Sequence, residues 1–159
     1  MAAIFPTTLE ATVLTAFSEF FVTDHHGAVA RAKSLDAGKA PAANLPVLPT
    51  PGLSDFEIEV LGELAAKTVH ATGITVELGM VDVELDSLFV VPEALAEVFA
   101  ELVDLEDPEE LPELAAAWAA AEEMESTPEI TEPLVRALAA LAGTVDENAR
   151  THLYFYSAA

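Results

Sequence analysis

Carboxylates are the only abundant reactive groups in this chain, which has 28 Asp and Glu, four His and no Cys. One grouping, Asp82-Val-Glu84-Leu-Asp86, puts three carboxylates on one edge of an extended segment and makes them a weak metal-ligand candidate. Counted from Asp82, Glu93 falls where the last ligand of an EF-hand loop would sit. However, Ser87 stands where the sharp turn needs Gly, and Pro92 interrupts the loop. The neighbours His25-His26 open a helix behind Asp24 and point about 100° apart, so they read as exposed first-turn residues rather than paired ligands. No cysteine means no disulfide, thiolate ligand or cysteine nucleophile. There is no G-x-S-x-G, phosphate loop or dinucleotide glycine pattern. These residues name no catalytic group and imply no cofactor, and the chain reads as leaning away from an enzyme.

The distribution of charge says more than any motif. The net charge is −22, yet residues 1–54 hold four acids against three bases. From Thr68 to Val135 there are 18 acids and no Lys or Arg. Six cations in the whole chain are too few to displace counterions from a nucleic acid, so direct nucleic-acid binding is not expected. Many of the acids are explained by helix starts, where the macrodipole stabilises negative charge: Glu57, Glu93, Glu109, Glu110, Glu113, Glu129 and Glu132. A second set is placed against local preference. Glu97, Glu101 and Asp104 repeat along one helix face, and Glu101, Asp104 and Glu106 crowd a helix C-terminus. Glu122, Glu123 and Glu125 do the same after Trp118. Those seven residues are the candidate surface for a basic protein partner, of the kind an immunity protein, inhibitor or nucleic-acid mimic would present. The alternative is a small-molecule-binding or hydrolytic enzyme with a carboxylate site. A homodimer is a further possibility.

The elements that must carry these acids follow from periodicity. Phe17-Ser-Glu-Phe-Phe-Val22 is β-rich and reads as a strand, begun near Val13. Asp24 then caps a helix with Ala28, Val29, Ala32 and Leu35 inward. Residues 40–53 form a Pro-rich surface connection inside a single domain spanning 1–159. Ser54 and Glu57 make a capping box for a helix that ends near Gly73. Residues 74–86 read as strand or irregular extended structure, and Leu88–Val91 as a short strand. Three helices follow, with inward stripes Leu95–Val103, Leu111–Trp118 and Leu134–Leu141. In the closing strand Tyr154 and Tyr156 face one way and Leu153 and Phe155 the other, so it is central or covered on both sides. The fold class is α/β or α+β: about five helices and a sheet of 3–4 short strands, packed as one pair of layers.

Several segments carry a resemblance. They are the strand ending Phe21-Val22, the Leu61-Gly-Glu-Leu64 helix, Phe89-Val-Val-Pro-Glu-Ala-Leu95, Ala117-Trp-Ala-Ala-Ala-Glu-Glu123 and His152-Leu-Tyr-Phe-Tyr156. Together they resemble small actinobacterial proteins of uncharacterised function. The resemblance implies a fold and assigns no activity or site residue. No basic leader and no long apolar run is visible, so the expected setting is cytoplasmic and off the membrane.

Overall fold

The computed structural model describes residues 17–39, 45–50, 52–121, 124 and 126–158. Its centre is β1 (Phe17–Thr23) paired antiparallel over its whole length with β5 (His152–Ala158). Alternation then sorts the side chains. Phe20, Val22, Leu153 and Phe155 face one core, while Phe21, Tyr154 and Tyr156 face a second. Three shorter strands complete an antiparallel sheet of order β2-β1-β5-β4-β3: β2 (Val47–Pro49), β3 (Gly79–Met80) and β4 (Leu88–Val90). Both edges are only two or three residues long, and Pro49 on β2 has no N–H to offer. That leaves little ladder for another chain to extend.

The larger core lies under four helices: α2 (Asp55–Thr68), α3 (Glu93–Glu101), α4 (Glu110–Ala120) and α5 (Pro128–Ala142). Fully buried Trp118 fills its middle and donates its indole N–H to the Glu57 carbonyl at 3.1 Å, tying α4 to the first turn of α2. Buried Thr131 donates to the Ala115 carbonyl at 2.7 Å and ties α5 to α4. The opposite face is covered by α1 (His25–Asp36), which approaches closely because its inward residues are Ala28 and Ala32.

The class is therefore α+β, with five described strands and helices on both faces, giving three layers in place of the expected pair. The extra strands come from segments that looked irregular. Val47–Pro49, inside the Pro-rich connection, pairs with Glu19–Phe21 because an extended Pro segment beside an open ladder accepts its bonds, as Pro46 does from the Val22 N–H. In the 74–86 stretch only Gly79–Met80 pairs, and Asp82 turns the chain by accepting the Glu84 N–H at 2.9 Å. Helix starts follow the sequence closely. The Asp24 carboxylate accepts the Gly27 N–H at 2.7 Å, and the Glu57 carboxylate takes both the N–H and the hydroxyl of Ser54. α2 stops at Thr68, earlier than Gly73, with His70 left-handed at φ 60°. The proposed strand start near Val13 lies outside the described residues.

Two polar residues sit in the middle of β1. Ser18 on one face bonds Thr50, and Glu19 on the other is 3% exposed. Glu19 is held by Arg31 of α1, whose Nε and Nη2 donate to it at 2.5 and 3.1 Å, and the guanidinium lies 5.4 Å from the centre of the Phe21 ring. Removing one partner strands the other charge in the core. We expect Arg31→Ala to cost about 3–5 kcal/mol in denaturant unfolding, and the apolar pair Glu19→Leu/Arg31→Met to recover most of it. A cost near zero for Arg31→Ala would show that the pair does not hold α1 to the sheet.

Candidate functional site

Antiparallel pairing fixes where the candidate site lies. Val90 sits opposite Tyr154, and the Val91 N–H donates to the Leu153 carbonyl at 2.9 Å. The end of β4 is therefore beside the beginning of β5. Consequently the first turns of α3 and the turn that precedes β5 meet at the same edge of the molecule. Between them lies a cleft of about 760 Å³. Its floor is apolar, with Val91, Ala96, Ala142 and Leu153, and its rim carries Glu93, Glu97 and Glu147.

The turn is stiffly built. The Asp146 carboxylate accepts the Asn148 N–H at 2.9 Å, and the Thr151 hydroxyl accepts the Asp146 N–H at 2.7 Å. Arg150 adopts the left-handed conformation at φ 57° to close it. That holds Glu147 against α3, where Glu93 and Glu97 lie one turn apart. A carboxylate oxygen from each of the three lies within 4.8 Å of the other two, and all three residues are exposed. Like charges this close resist full ionisation. The hydrogen bond shared with Glu93 raises the Glu147 carboxyl above its usual range, and the Glu93 charge adds to the effect. Arg150 and His152 also line the cleft, and among the described residues neither pairs with an acid within salt-bridge distance.

Beyond the cleft the acidic face continues outward. Glu101 ends α3, Asp104 lies in a 3₁₀ turn (Leu102–Asp104), and Glu106 follows; all three are exposed. The tighter turn also rotates Val103 out of its expected inward stripe, leaving it 60% exposed among the acids. The two ion pairs among the described residues are Arg31–Glu19 and Arg136–Glu132, and neither includes Glu97, Glu101, Asp104 or Glu106. Of the seven residues proposed for the surface, Glu97, Glu101, Asp104 and Glu106 thus stand exposed on one continuous stretch of chain. Glu122, Glu123 and Glu125 lie outside the described residues. Among the described residues, Asp82, Glu84 and Asp86 do not converge, because the Asp82 turn breaks the strand that would have aligned them. His25 and His26 are exposed on α1 and join no ligand group among the described residues.

Glu93 and Glu147 were not anticipated as site residues. Glu93 is accounted for as a helix start and enters otherwise only in the rejected EF-hand count from Asp82, while its i, i+4 relation to Glu97 is the signal that fits the observed cluster. Glu147 is fifty residues away from Glu97 and reaches the cleft only through the β4–β5 pairing.

No family model matches the chain, and searches of curated proteins and of solved structures return no match. Among the described residues, no helix is long and apolar enough to cross a membrane.

Two predictions follow from the crowding of acids. Reversal of Glu97, Glu101 and Asp104 to Lys removes repulsion along α3 and suits its C-terminal dipole. A gain of about 1 kcal/mol would raise the melting temperature by about 2–4 °C. An unchanged or lower value would mean these acids have compensating partners. Glu147 binds its proton more tightly in the folded than in the unfolded chain. Its contribution to stability is therefore complete below the unfolded pKa and is lost as pH rises through the raised folded one. Glu147→Gln should stabilise the protein at neutral pH and flatten this part of the stability–pH curve. Parallel curves for the two proteins would contradict the raised Glu147 carboxyl.

Proposed function

We propose that this chain is a non-catalytic binding protein that engages a basic protein partner through the acidic face running from α3 through Asp104 and Glu106. The observation that carries the reading is that Glu97, Glu101, Asp104 and Glu106 are exposed and belong to neither of the ion pairs among the described residues. Local structure disfavours negative charge at the end of α3, so its presence there answers to something outside the helix. Such a face speeds encounter with a positive surface, and Val103 among the acids offers an apolar contact once the partner has arrived. A cytoplasmic setting belongs to the same proposal.

A second reading is supported by the cleft: a small-molecule-binding or hydrolytic protein in which Glu147, its carboxyl raised by the hydrogen bond to Glu93, works beside Glu97. Hydrolysis of simple ester or phosphate substrates, abolished by Glu147→Gln, would favour it over docking.

The docking reading is tested by site-specific charge reversal. Association of a lysine-rich amphipathic peptide is followed by stopped flow at low and high salt. The Glu101→Lys/Asp104→Lys/Glu106→Lys protein is compared with a control of equal net charge, Glu63→Lys/Glu77→Lys/Glu84→Lys. The face variant is expected to associate about tenfold more slowly at low salt, with the control within about twofold of the parent. Equal slowing in both would show that net charge alone attracts the peptide and that the face is a solubility device.

A further inference from the structure

We infer that residues 74–78 are a self-bound strap, which lies on α2 as a peptide lies on a partner and releases from it as a unit while both cores stay folded. The inference goes beyond the docking reading and does not depend on it.

The segment has the form of a bound peptide. Ile74, Val76 and Leu78 are half-buried against the larger core, and Thr75 and Glu77 between them are exposed, the alternation of an extended chain. No ladder holds it. Of the backbone groups of residues 72–78, the Leu78 N–H alone bonds another described residue, donating to the Glu59 carboxylate of α2 at 3.1 Å. A notch in α2 receives its middle. A Cβ on Gly62 would stand 3.3 Å from the Val76 Cβ and 3.2 Å from both methyl carbons of Leu95 on α3. The missing side chain at 62 is therefore what lets the strap and α3 reach α2 at the same point. Val76 meets Gly62 and Leu78 meets Glu59, so the strap runs back along α2 toward its start. His70 and Gly73, left-handed at φ 60° and 70°, turn the corner after Thr68.

The hold on this segment is weak and is opposed. Three half-buried side chains and one hydrogen bond keep it down, whereas each strand of the β1–β5 ladder has fully buried aromatic rings. Like charge pushes against it, because Glu77 on the strap stands near enough to Glu59 to act on it. Burial raises the Glu59 carboxyl above its usual range, the Leu78 N–H opposes the rise, and the charges of Asp55, Glu77 and Glu63 add to it. Gly73 pivots in open space at one end, and the two-residue β3 follows at the other, so little else must break when the strap lifts. Lifting bares Gly62 and the buried Leu95, and an apolar notch opens in an acidic surface.

The test is proteolysis of the native full chain by thermolysin, with the cuts located by mass spectrometry. Thermolysin takes the apolar residue after the cut bond into its own pocket, so cutting before Ile74, Val76 or Leu78 requires that side chain to leave α2. Cutting there is expected to run about tenfold or more faster than global unfolding allows. Its rate should change by less than about twofold between water and about 1 M urea, since local opening exposes little surface, while Trp118 fluorescence still reports native cores. Glu59→Ala should speed these cuts about tenfold, and Glu59→Gln, which keeps an acceptor oxygen, by less. The chain has no cysteine, so Gly62→Cys/Val76→Cys places a single thiol pair a few tenths of an ångström inside the usual disulfide span. Oxidation of that pair should stop cutting before Ile74, Val76 and Leu78, and reduction should restore it. Cutting at these bonds that rises with urea in step with the loss of the Trp118 signal would overturn the strap. So would cutting that continues unchanged with the disulfide closed.

Discussion

The antiparallel pairing of β1 with β5 is the constraint on which the rest of the molecule depends. It joins Phe17–Thr23 to His152–Ala158 across almost the whole described chain, so every intervening helix is enclosed in a loop that this ladder closes. Loop closure costs entropy that burial must offset, and the ladder accordingly buries large apolar and aromatic side chains on both of its faces. Phe20 packs against Phe155 with ring centres 4.7 Å apart, and Phe21 stacks on Tyr154 at 5.8 Å. Each strand serves two cores at once, which is why helices are required on both faces of the sheet.

Asymmetry between those faces decides what each can do. Four helices over Phe20 and Phe155 make a thick core around Trp118 with few polar atoms to satisfy. A single helix over Phe21 and Tyr156 makes a thin one, and polar contacts fasten it. Tyr156 donates to the Asp36 carboxylate at 2.5 Å, and Arg31 grips Glu19. Burial, and then that Asp36 bond, holds the Tyr156 phenol above its ordinary range, so it stays a neutral donor. An acid at the C-terminal end of α1 is locally unfavourable, and Tyr156 supplies the reason for Asp36 that the helix does not. Among the described residues Glu101 and Asp104 have no comparable side-chain partner, and the docking proposal rests on that contrast.

Much of the architecture was legible because the signals are local. A cap, a capping box and inward stripes at helical spacing depend on neighbours within a few residues, and Asp24, Ser54-Glu57 and Leu111-Leu114-Trp118 behave as their spacing demands. Alternation in Leu153–Tyr156 showed a strand buried on both sides, since each face was apolar. What escaped was cooperative. Val47–Pro49 becomes a strand only because β1 presents an open ladder, and Asp82–Asp86 fails to be one because Asp82 bonds its own chain first. Likewise Val103 leaves the apolar stripe when the last turn of α3 tightens, a change of helical pitch that periodicity at 3.6 residues does not register.

By itself, the sequence narrowed the fold class to α/β or α+β and determined the central strands, the helix starts and the separation of a near-neutral first third from a stretch of 18 acids without a fixed positive charge. These rest on side-chain type and short-range spacing, which the chain carries with it before it folds. Tertiary structure alone decided which acids meet. Glu147 joins Glu93 and Glu97 because β4 and β5 run antiparallel, so the exit of one strand and the entrance of the other share an edge. A contact between residues fifty apart in the chain is set by strand order and direction, and neither is written in the spacing of the residues that make it.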